Sequence, residues 1–174
     1  METKVQLLEA GHARLADALA ALVNSVYKVA EEGLWRDGWA RTNPAEMAEL
    51  ITRGQIAAAE RHGDLAGTIH IEDVEDDATI FGMLAAAPEH RGAGVGRALV
   101  DFAEQHARER GRHTMRLELL VPRGWPHPSK EFLKGWYGRR GYEVRGTGAM
   151  DELYPHLAPM LACPCDLLLY EKAL

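Results

Sequence analysis

Three glycines at alternate positions, Gly92, Gly94 and Gly96, lie between Arg91 and Arg97 and carry the strongest chemical signal in the sequence. Glycine lets the backbone approach a ligand closely and lets several N–H groups converge on one point. A helical pattern starts directly after this segment, and helix N-termini attract anions. The residue types and their spacing therefore predict a phosphate-binding loop. The alternative is a glycine-rich turn into a helix that holds no ligand.

Two common phosphate-binding motifs do not fit this loop. A P-loop requires Gly-Lys followed by Ser or Thr, and no such lysine is present here. A dinucleotide-binding fingerprint would have its last glycine at position 97, which is Arg97. It would also need an acidic residue about 20 positions later at the end of a parallel strand, and none is evident. The ligand is therefore expected to be a phosphate compound of another class.

The spacing Arg91-x-x-Gly94-x-Gly96, after Pro88 and a predicted strand, resembles the pyrophosphate-binding motif of the GNAT superfamily of acyl-CoA-dependent N-acetyltransferases. Residues 136–142, with the sequence WYGRRGY, are similar to that family's hydrophobic-Tyr-x-x-x-Gly-aromatic signature on its fourth helix. Two motifs at the appropriate separation are more specific than either alone, and the resemblance extends over essentially the whole chain. It implies an enzyme that transfers an acetyl group from acetyl-CoA to an amine.

The resemblance also implies particular contacts with the acetyl donor. Backbone groups of Leu84, Ala85 and Ala86 would meet the pantetheine arm where neighbouring strands splay apart. The pyrophosphate would be held by one continuous run of residues, namely Arg91, Gly92, Ala93, Gly94, Val95, Gly96 and Arg97. Many family members have an asparagine seven residues before the signature tyrosine. Here that position is Lys130, next to Ser129, and both are candidate cofactor-binding residues.

The reaction needs a proton donor for the leaving thiolate and a base for the attacking amine. The resemblance places Tyr137 near the thioester sulfur, and its phenol is a reasonable acid because the reference pKa is near 10, against about 8.5 for a thiol. Its alternative role is packing among apolar neighbours. Glu118, in a predicted strand next to the splay, is the candidate base, with Glu31, Glu32 and Glu72 as further options. Unpaired backbone N–H groups at the splay would stabilise the oxyanion.

The resemblance places the acceptor site at two segments, residues 31–42 and 151–164. Four aromatic side chains in or beside them would form its walls, namely Tyr27, Trp35, Trp39 and Tyr154. The alternative is that these side chains only anchor two long loops. Residues 91–145 hold 12 Lys/Arg and 6 Asp/Glu, a net charge of +6, and the rest of the chain carries −12. This acidic part suits a cationic amine, expected to be a small molecule.

Composition and charge exclude several other classes of protein. With 47% hydrophobic and 26% charged residues, the chain is neither disordered nor fibrous. The net charge of −6 argues against a broadly basic nucleic-acid-binding protein. No apolar run is long enough for a membrane helix, and a cytoplasmic location is expected. The histidines show no metal-ligand spacing, so no metal is expected. Cys163 and Cys165 are expected to stay reduced, because a bridge across so small a loop would be strained.

The functional residues need elements that position them, and the hydrophobic periodicity predicts a mixed α/β fold. Helices are expected at 12–29, 44–53, 93–110 and 129–140, the last with Ser129 as its N-cap. Strands are expected at 5–10, 55–60, 65–71, 79–86, 115–121, 142–150 and 166–172. Strands follow one another in the middle of the chain instead of alternating with helices. This order predicts a GNAT-like mixed, largely antiparallel central sheet of about seven strands flanked by about four helices, in a single domain over residues 1–174.

Two hypotheses of different classes follow from this interpretation. The first is an acetyl-CoA-dependent N-acetyltransferase, and the second is a non-catalytic module that senses acyl-CoA without turnover. The presence of Tyr137, an intact candidate acid, favours the enzyme. Dimers are common in the resembling family, so a homodimer is a further expectation, although the sequence offers no clear interface signal.

Overall fold

The computed structural model describes residues 2–174, and its seven strands form one sheet in the order β1-β2-β3-β4-β5-β7-β6. The strands are β1 (Lys4–Leu7), β2 (Ile56–Arg61), β3 (Asp64–Val74), β4 (Ala78–Ala86), β5 (Thr114–Pro122), β6 (Glu143–Ala149) and β7 (Cys165–Ala173). The helices are α1 (Ala16–Ala30), α2 (Pro44–Thr52), α3 (Val95–Glu109), α4 (Pro128–Arg139) and the short α5 (Met150–Leu153). The predicted fold class is confirmed, with one helix more than expected.

The sheet is antiparallel except at its centre, where β4 and β5 run parallel. A parallel pair needs a long crossover connection, and α3 provides it between these two strands. The order of the last two strands is exchanged, so that β7 lies between β5 and β6. The central parallel pair is the part of the fold that positions the candidate site.

Helices cover both faces of the sheet, and each face has its own core. On one face α3 and α4 pack against the strands around buried side chains that include Leu99 and Tyr137. On the other face α1 and α2 pack around a second cluster, which includes Leu19 and Ile51. A third and smaller cluster around Leu34 lies where the 31–42 loop meets β5 and β7.

The predicted start of α2 is confirmed by its capping geometry. The side chain of Asn43 accepts a hydrogen bond from the backbone N–H of Glu46 at 2.9 Å, and Pro44 occupies the first turn. Both are favoured at a helix start, because the cap satisfies a free N–H and proline has none to lose.

Other predicted boundaries are wrong for local reasons. The first helix begins with a 3-10 turn over Ala10–Leu15, and its α-helical part starts only at Ala16. Helix α4 starts at Pro128 after His127, and not at Ser129, since proline is well suited to the first helical position. Strand β6 ends at Ala149, one residue before the predicted end, because Met150 begins the one-turn helix α5. Within residues 2–174, no helix has the length and apolar character needed to cross a membrane.

Candidate active site

The parallel strands β4 and β5 separate after three residue pairs. They pair from Ala78 with Thr114 to Ile80 with Arg116, and both strands then continue without pairing each other. A bulge in β4 accompanies the separation: its register against β3 shifts, and Met83 has a φ of 45°, in the left-handed region. The facing edges of the two strands therefore carry backbone N–H and C=O groups that no strand partner satisfies.

A cavity of about 560 Å³ lies in this opening, a volume typical of small-molecule sites. Its walls come from β4, β5, α1 and α4, from the loop after α1, and from the segment that includes α5. The lining brings together nine residues that the sequence singled out: Tyr27, Glu31, Trp35, Trp39, Leu84, Glu118, Lys130, Tyr137 and Tyr154. The lining does not include the other candidates, namely Ala85, Ala86, Ser129, Glu32, Glu72 and the phosphate-binding loop.

The predicted phosphate-binding loop, residues 91–97, lies between β4 and α3, so it follows the unpaired edge of β4 along the chain. Gly92 and Gly94 have φ angles of 80° and 78°, which other residues rarely adopt, and this explains why glycine is found at both positions. The side chains of Arg91 and Arg97 are exposed beside them. Arg97 is partly neutralised, since its Nε lies 3.7 Å from a carboxylate oxygen of Asp101.

Most amides of this loop are free. Within residues 2–174, the N–H groups of residues 92 and 94–97 make no hydrogen bond, and the first bond of α3 is donated by Ala98 to the Gly94 carbonyl at 2.9 Å. Arg91 and Ala93 are the exceptions among the predicted contacts, because their N–H groups already donate to the carbonyls of Pro88 at 3.1 Å and His90 at 3.0 Å. Five free N–H groups at the positive end of a 15-residue helix form a suitable anion site.

Tyr137 lies on α4, is only 5% exposed and borders the cavity. Its ring packs against Phe81 of β4, with ring centroids 6.1 Å apart, and against Tyr142 at 5.9 Å. Burial raises the pKa of its phenol well above the usual value, and the nearby phenols of Tyr27 and Tyr170 add to the effect. Tyr137 therefore belongs to the core, as the packing role requires, and also borders the cavity, as the acid role requires.

Glu31 and Lys130 form a buried ion pair in the cavity wall. The ammonium nitrogen of Lys130 lies 2.5 Å from a carboxylate oxygen of Glu31, and the two side chains are 5% and 6% exposed. The other carboxylate oxygen of Glu31 accepts a hydrogen bond from the indole N–H of Trp35 at 3.0 Å. The ion pair joins the C-terminal end of α1 to the first turn of α4. Both charges are therefore engaged, which leaves neither Glu31 as a free base nor Lys130 as a free cation.

Glu118 and Tyr154 form the second polar contact of the cavity. The phenol of Tyr154 donates a hydrogen bond of 2.6 Å to the carboxylate of Glu118, which is otherwise exposed. Burial and, to a smaller extent, the hydrogen bond to this carboxylate together raise the pKa of Tyr154 to about 12. Glu118 has no cationic partner within 4 Å among residues 2–174, so its charge is available to a ligand.

The aromatic residues predicted for the acceptor site do form a wall of the cavity. Trp35 and Trp39 stack on each other with ring centroids 4.0 Å apart and planes inclined by 10°. Tyr27 also lines the cavity, and burial raises the pKa of its phenol to about 12. Because Trp35 also anchors its loop through Glu31, both predicted roles, wall and anchor, are seen in one residue.

Three titratable residues of the lining were not predicted as site residues: Arg41, Glu46 and His156. The guanidinium carbon of Arg41 lies 5.7 Å from the centre of the Tyr27 ring. Glu46 accepts a hydrogen bond from the hydroxyl of Thr42 at 2.8 Å. Arg41 and His156 lie in segments that were predicted to hold the acceptor, but nothing in their local sequence distinguishes them from surface residues.

The cysteines form a close pair away from this chemistry. The sulfur atoms of Cys163 and Cys165 are 3.9 Å apart, and both thiols are free. Burial and the neighbouring sulfur raise the pKa of Cys165 to about 12, which makes it a poor nucleophile. In the part of the chain that the structure describes, no group of three or more His, Cys, Asp or Glu side chains is arranged to hold a metal ion.

Comparison of the sequence with protein-family models identifies one match. The model described as the acetyltransferase (GNAT) family matches residues 23–134, which is 112 of the 174 residues. The match includes the second half of α1, the separating strands β4 and β5, the predicted phosphate-binding loop and the start of α4. No curated protein matches the sequence significantly.

Solved structures of similar fold include several acetyltransferases. PaiA N-acetyltransferase from Thermoplasma acidophilum, in complex with coenzyme A, matches with a TM-score of 0.70 and 17% identity over all of both chains. N-acetylglutamate synthase from Neisseria gonorrhoeae, complexed with coenzyme A and N-acetyl-glutamate, matches with a TM-score of 0.66 and 17% identity over all of this chain and 35% of its own. A Bacillus anthracis protein assigned as a streptothricin acetyltransferase, solved with acetyl coenzyme A, has a TM-score of 0.55 and 18% identity over 68% of this chain and 61% of its own. At these identities the similarity concerns the fold.

Proposed function

Because the chain belongs to the GNAT family of acetyltransferases, we propose that it transfers the acetyl group of acetyl-CoA to the amine of a small molecule, by direct attack in a ternary complex. One observation carries this proposal. The opening between β4 and β5 connects a loop of free amides to a cavity that is lined by a buried phenol and an available carboxylate. The arrangement offers one place for a phosphorylated donor and one for an acceptor, with the reacting atoms between them.

The described residues include groups that would bind each part of acetyl-CoA, the acetyl donor. The five free amides of residues 92 and 94–97 would hold its pyrophosphate, with charge added by Arg91 and Arg97. The unpaired edge of β4 from Phe81 to Ala86 would bond the amides of the pantetheine arm, much as a neighbouring strand does. Direct contact through Lys130 is not part of the proposal, because Glu31 already holds its ammonium group. Ser129 remains a predicted contact.

The same strand edge would also act on the transition state. Attack of the amine on the thioester carbonyl places negative charge on the carbonyl oxygen. Free N–H groups near the bulge at Met83 and Leu84 would donate to that oxygen from positions that the strand already fixes, so little reorganisation would be needed. Holding both reactants in one cavity supplies a further part of the acceleration, because it removes the cost of bringing them together.

Tyr137 would donate to the thiolate that leaves. Its raised pKa keeps the phenol protonated throughout the physiological range. The same raised pKa makes complete proton transfer to a thiolate of reference pKa near 8.5 unfavourable, although burial raises the pKa of the thiol as well. We therefore assign Tyr137 to hydrogen-bond donation to the sulfur as the carbon–sulfur bond breaks. Its position in the cavity favours the enzyme over the non-catalytic sensor.

Glu118 would receive the proton of the attacking amine. It lines the cavity, is paired with no cation among residues 2–174, and is held by the phenol of Tyr154 at 2.6 Å. A cationic amine would be attracted to this carboxylate, and the proton would pass to it directly or through one water. The alternative bases are less well placed, since Glu31 is ion-paired and neither Glu32 nor Glu72 lines the cavity.

A thiol-release assay tests the proposal. Purified protein is incubated with acetyl-CoA and a panel of primary amines, amino acids and short peptides, and free CoA is measured with a thiol reagent. Release that depends on one or a few small amines supports the proposal. Tight CoA binding without release from any small acceptor would contradict acetyl transfer to a small amine and favour the sensor. The single domain, the cytoplasmic location and the homodimer remain predictions.

A further inference from the structure

Arg41 is a partly buried cation that faces the cavity without a carboxylate partner. Its guanidinium carbon lies 5.7 Å from the centre of the Tyr27 ring, which is a cation–π contact. Among residues 2–174 no carboxylate oxygen lies within 4.0 Å of its nitrogen atoms, whereas the second cation of the lining, Lys130, is neutralised by Glu31. Tyr27 therefore holds Arg41 in place on the cavity side while its charge remains uncompensated.

Two carboxylates of the cavity lining, those of Glu118 and Glu46, also have no cationic partner among residues 2–174. Glu118 receives only the phenol of Tyr154, and Glu46 receives only the hydroxyl of Thr42. A site that holds separate unpaired charges of both signs favours a ligand that carries both complementary charges. A simple cationic amine would satisfy the carboxylates and leave Arg41 unpaired.

We propose that the acceptor carries a carboxylate as well as its reactive amine, as an amino acid does, and that Arg41 binds this carboxylate. The proposal rests on the proposed acetyl transfer and specifies its substrate class. A guanidinium presents paired N–H donors that match a carboxylate in geometry, which a lysine ammonium does not. The ammonium end of the acceptor would then lie toward Glu118, the candidate base.

The aromatic side chains of the cavity wall indicate which side chain the acceptor carries. Trp35 and Trp39, stacked 4.0 Å apart, border the cavity next to the segment that carries Arg41. A flat or apolar side chain would pack against these rings, whereas a second carboxylate would meet their negatively polarised faces. The favoured acceptors are thus amino acids with aromatic or large apolar side chains.

The test compares acids with their amides, which have the same shape but no negative charge. Initial rates of thiol release are measured for L-tryptophan, L-phenylalanine and L-leucine and for the three corresponding amides. The variants are Arg41→Gln, Arg41→Lys and, as a matched control, Arg53→Gln, an exposed arginine directly after α2 and outside the cavity. Because an amide lowers the basicity of the neighbouring amine, the ratio of kcat/KM for acid and amide is compared between variants.

Arg41→Gln should lower kcat/KM for the acids by about 10- to 100-fold and for the amides by less than 3-fold, as expected for one lost charge-assisted pair. Arg41→Lys should recover part of this loss, and Arg53→Gln should change neither rate. An equal loss of kcat/KM for acids and amides in Arg41→Gln would overturn the inference. Wild-type turnover of only those amines that lack a carboxylate would also overturn it. Both results would leave the proposed acetyl transfer intact. Absence of CoA binding in calorimetry would instead overturn the proposed function itself.

Discussion

Replacing Lys130 by methionine should strongly destabilise the fold. The substitution keeps the length of the side chain but removes the charge that lies 2.5 Å from Glu31, whose side chain is 6% exposed. A buried charge that loses its partner costs about 3–5 kcal/mol, because water cannot replace the missing ion. With an unfolding entropy of about 2.1 cal/mol/K per residue, roughly 0.37 kcal/mol/K for this chain, the loss corresponds to a fall in Tm of about 8–14 °C.

The assay is thermal and urea unfolding of a double-mutant cycle. Glu31→Gln removes the opposite charge and keeps an acceptor for the indole N–H of Trp35. The double variant Glu31→Gln/Lys130→Met buries no charge, so it should recover most of the stability lost in the single variant. Lys134→Met is the matched control, since that lysine makes an exposed pair with Glu131 on the same helix, worth about 0.2–1 kcal/mol.

The reasoning would be refuted by a Lys130→Met variant that loses no more stability than Lys134→Met. A double variant as unstable as the single one would also contradict it, because the loss would then come from the missing aliphatic packing and not from the unpaired charge. The expected result would show that the pair fixes the end of α1, and with it the first residues of the acceptor loop, to α4.

Three further predictions concern catalysis, pH and packing. Tyr137→Phe should lower kcat by about 100-fold or more while CoA affinity in calorimetry changes less than 3-fold, and unchanged kcat would remove it from the donor role. Burial lowers the pKa of His70, so the unfolded chain takes up the proton first. Stability should therefore fall as the pH decreases below about 6.5, by at most about 1.4 kcal/mol per pH unit. Urea unfolding of His70→Gln should show a flatter pH dependence, and a pH dependence equal to that of wild type would contradict this role of His70. Gly67→Ala would place a Cβ 2.7 Å from the Ala85 carbonyl and 2.8 Å from Val95. The substitution should lower the free energy of unfolding in urea by about 1–3 kcal/mol. Gly11→Ala, with open space around the new Cβ, should lower it much less. Equal losses would contradict the close approach of α3 to Gly67.

Local sequence was sufficient for the existence of most elements and for the conformation of the loop that we propose binds phosphate. The loop was predictable because Gly92 and Gly94 must adopt positive φ angles next to a helix start, and glycine is the residue that does so without strain. Helix α3 was predictable because its apolar residues recur on one stripe. The place of Tyr137 at the cavity came from a family resemblance and not from periodicity, which gave only a packing role.

The remaining features depend on contacts between distant parts of the chain. Glu31 and Lys130 are 99 positions apart, so no local pattern indicates that they pair. The hydrogen bond between Tyr154 and Glu118 joins residues 36 positions apart. The role of Arg41 depends on what does not approach it, and sequence carries no signal for the absence of a partner. Boundary errors such as the start of α4 have a smaller cause, the competition of Pro128 and Ser129 for one turn.

Calorimetric titration with coenzyme A is the most direct test of the central claim that the opening and its loop hold the acetyl donor. Wild type is compared with Gly94→Glu and Gly94→Ala. Both variants place a Cβ at the strained φ of 78°, where there is open space for it, but only glutamate adds a charge. The account predicts binding by wild type, a small loss for alanine, and at least 100-fold weaker binding for glutamate, because a carboxylate would stand against the pyrophosphate. Equal affinity of wild type and Gly94→Glu would contradict the account.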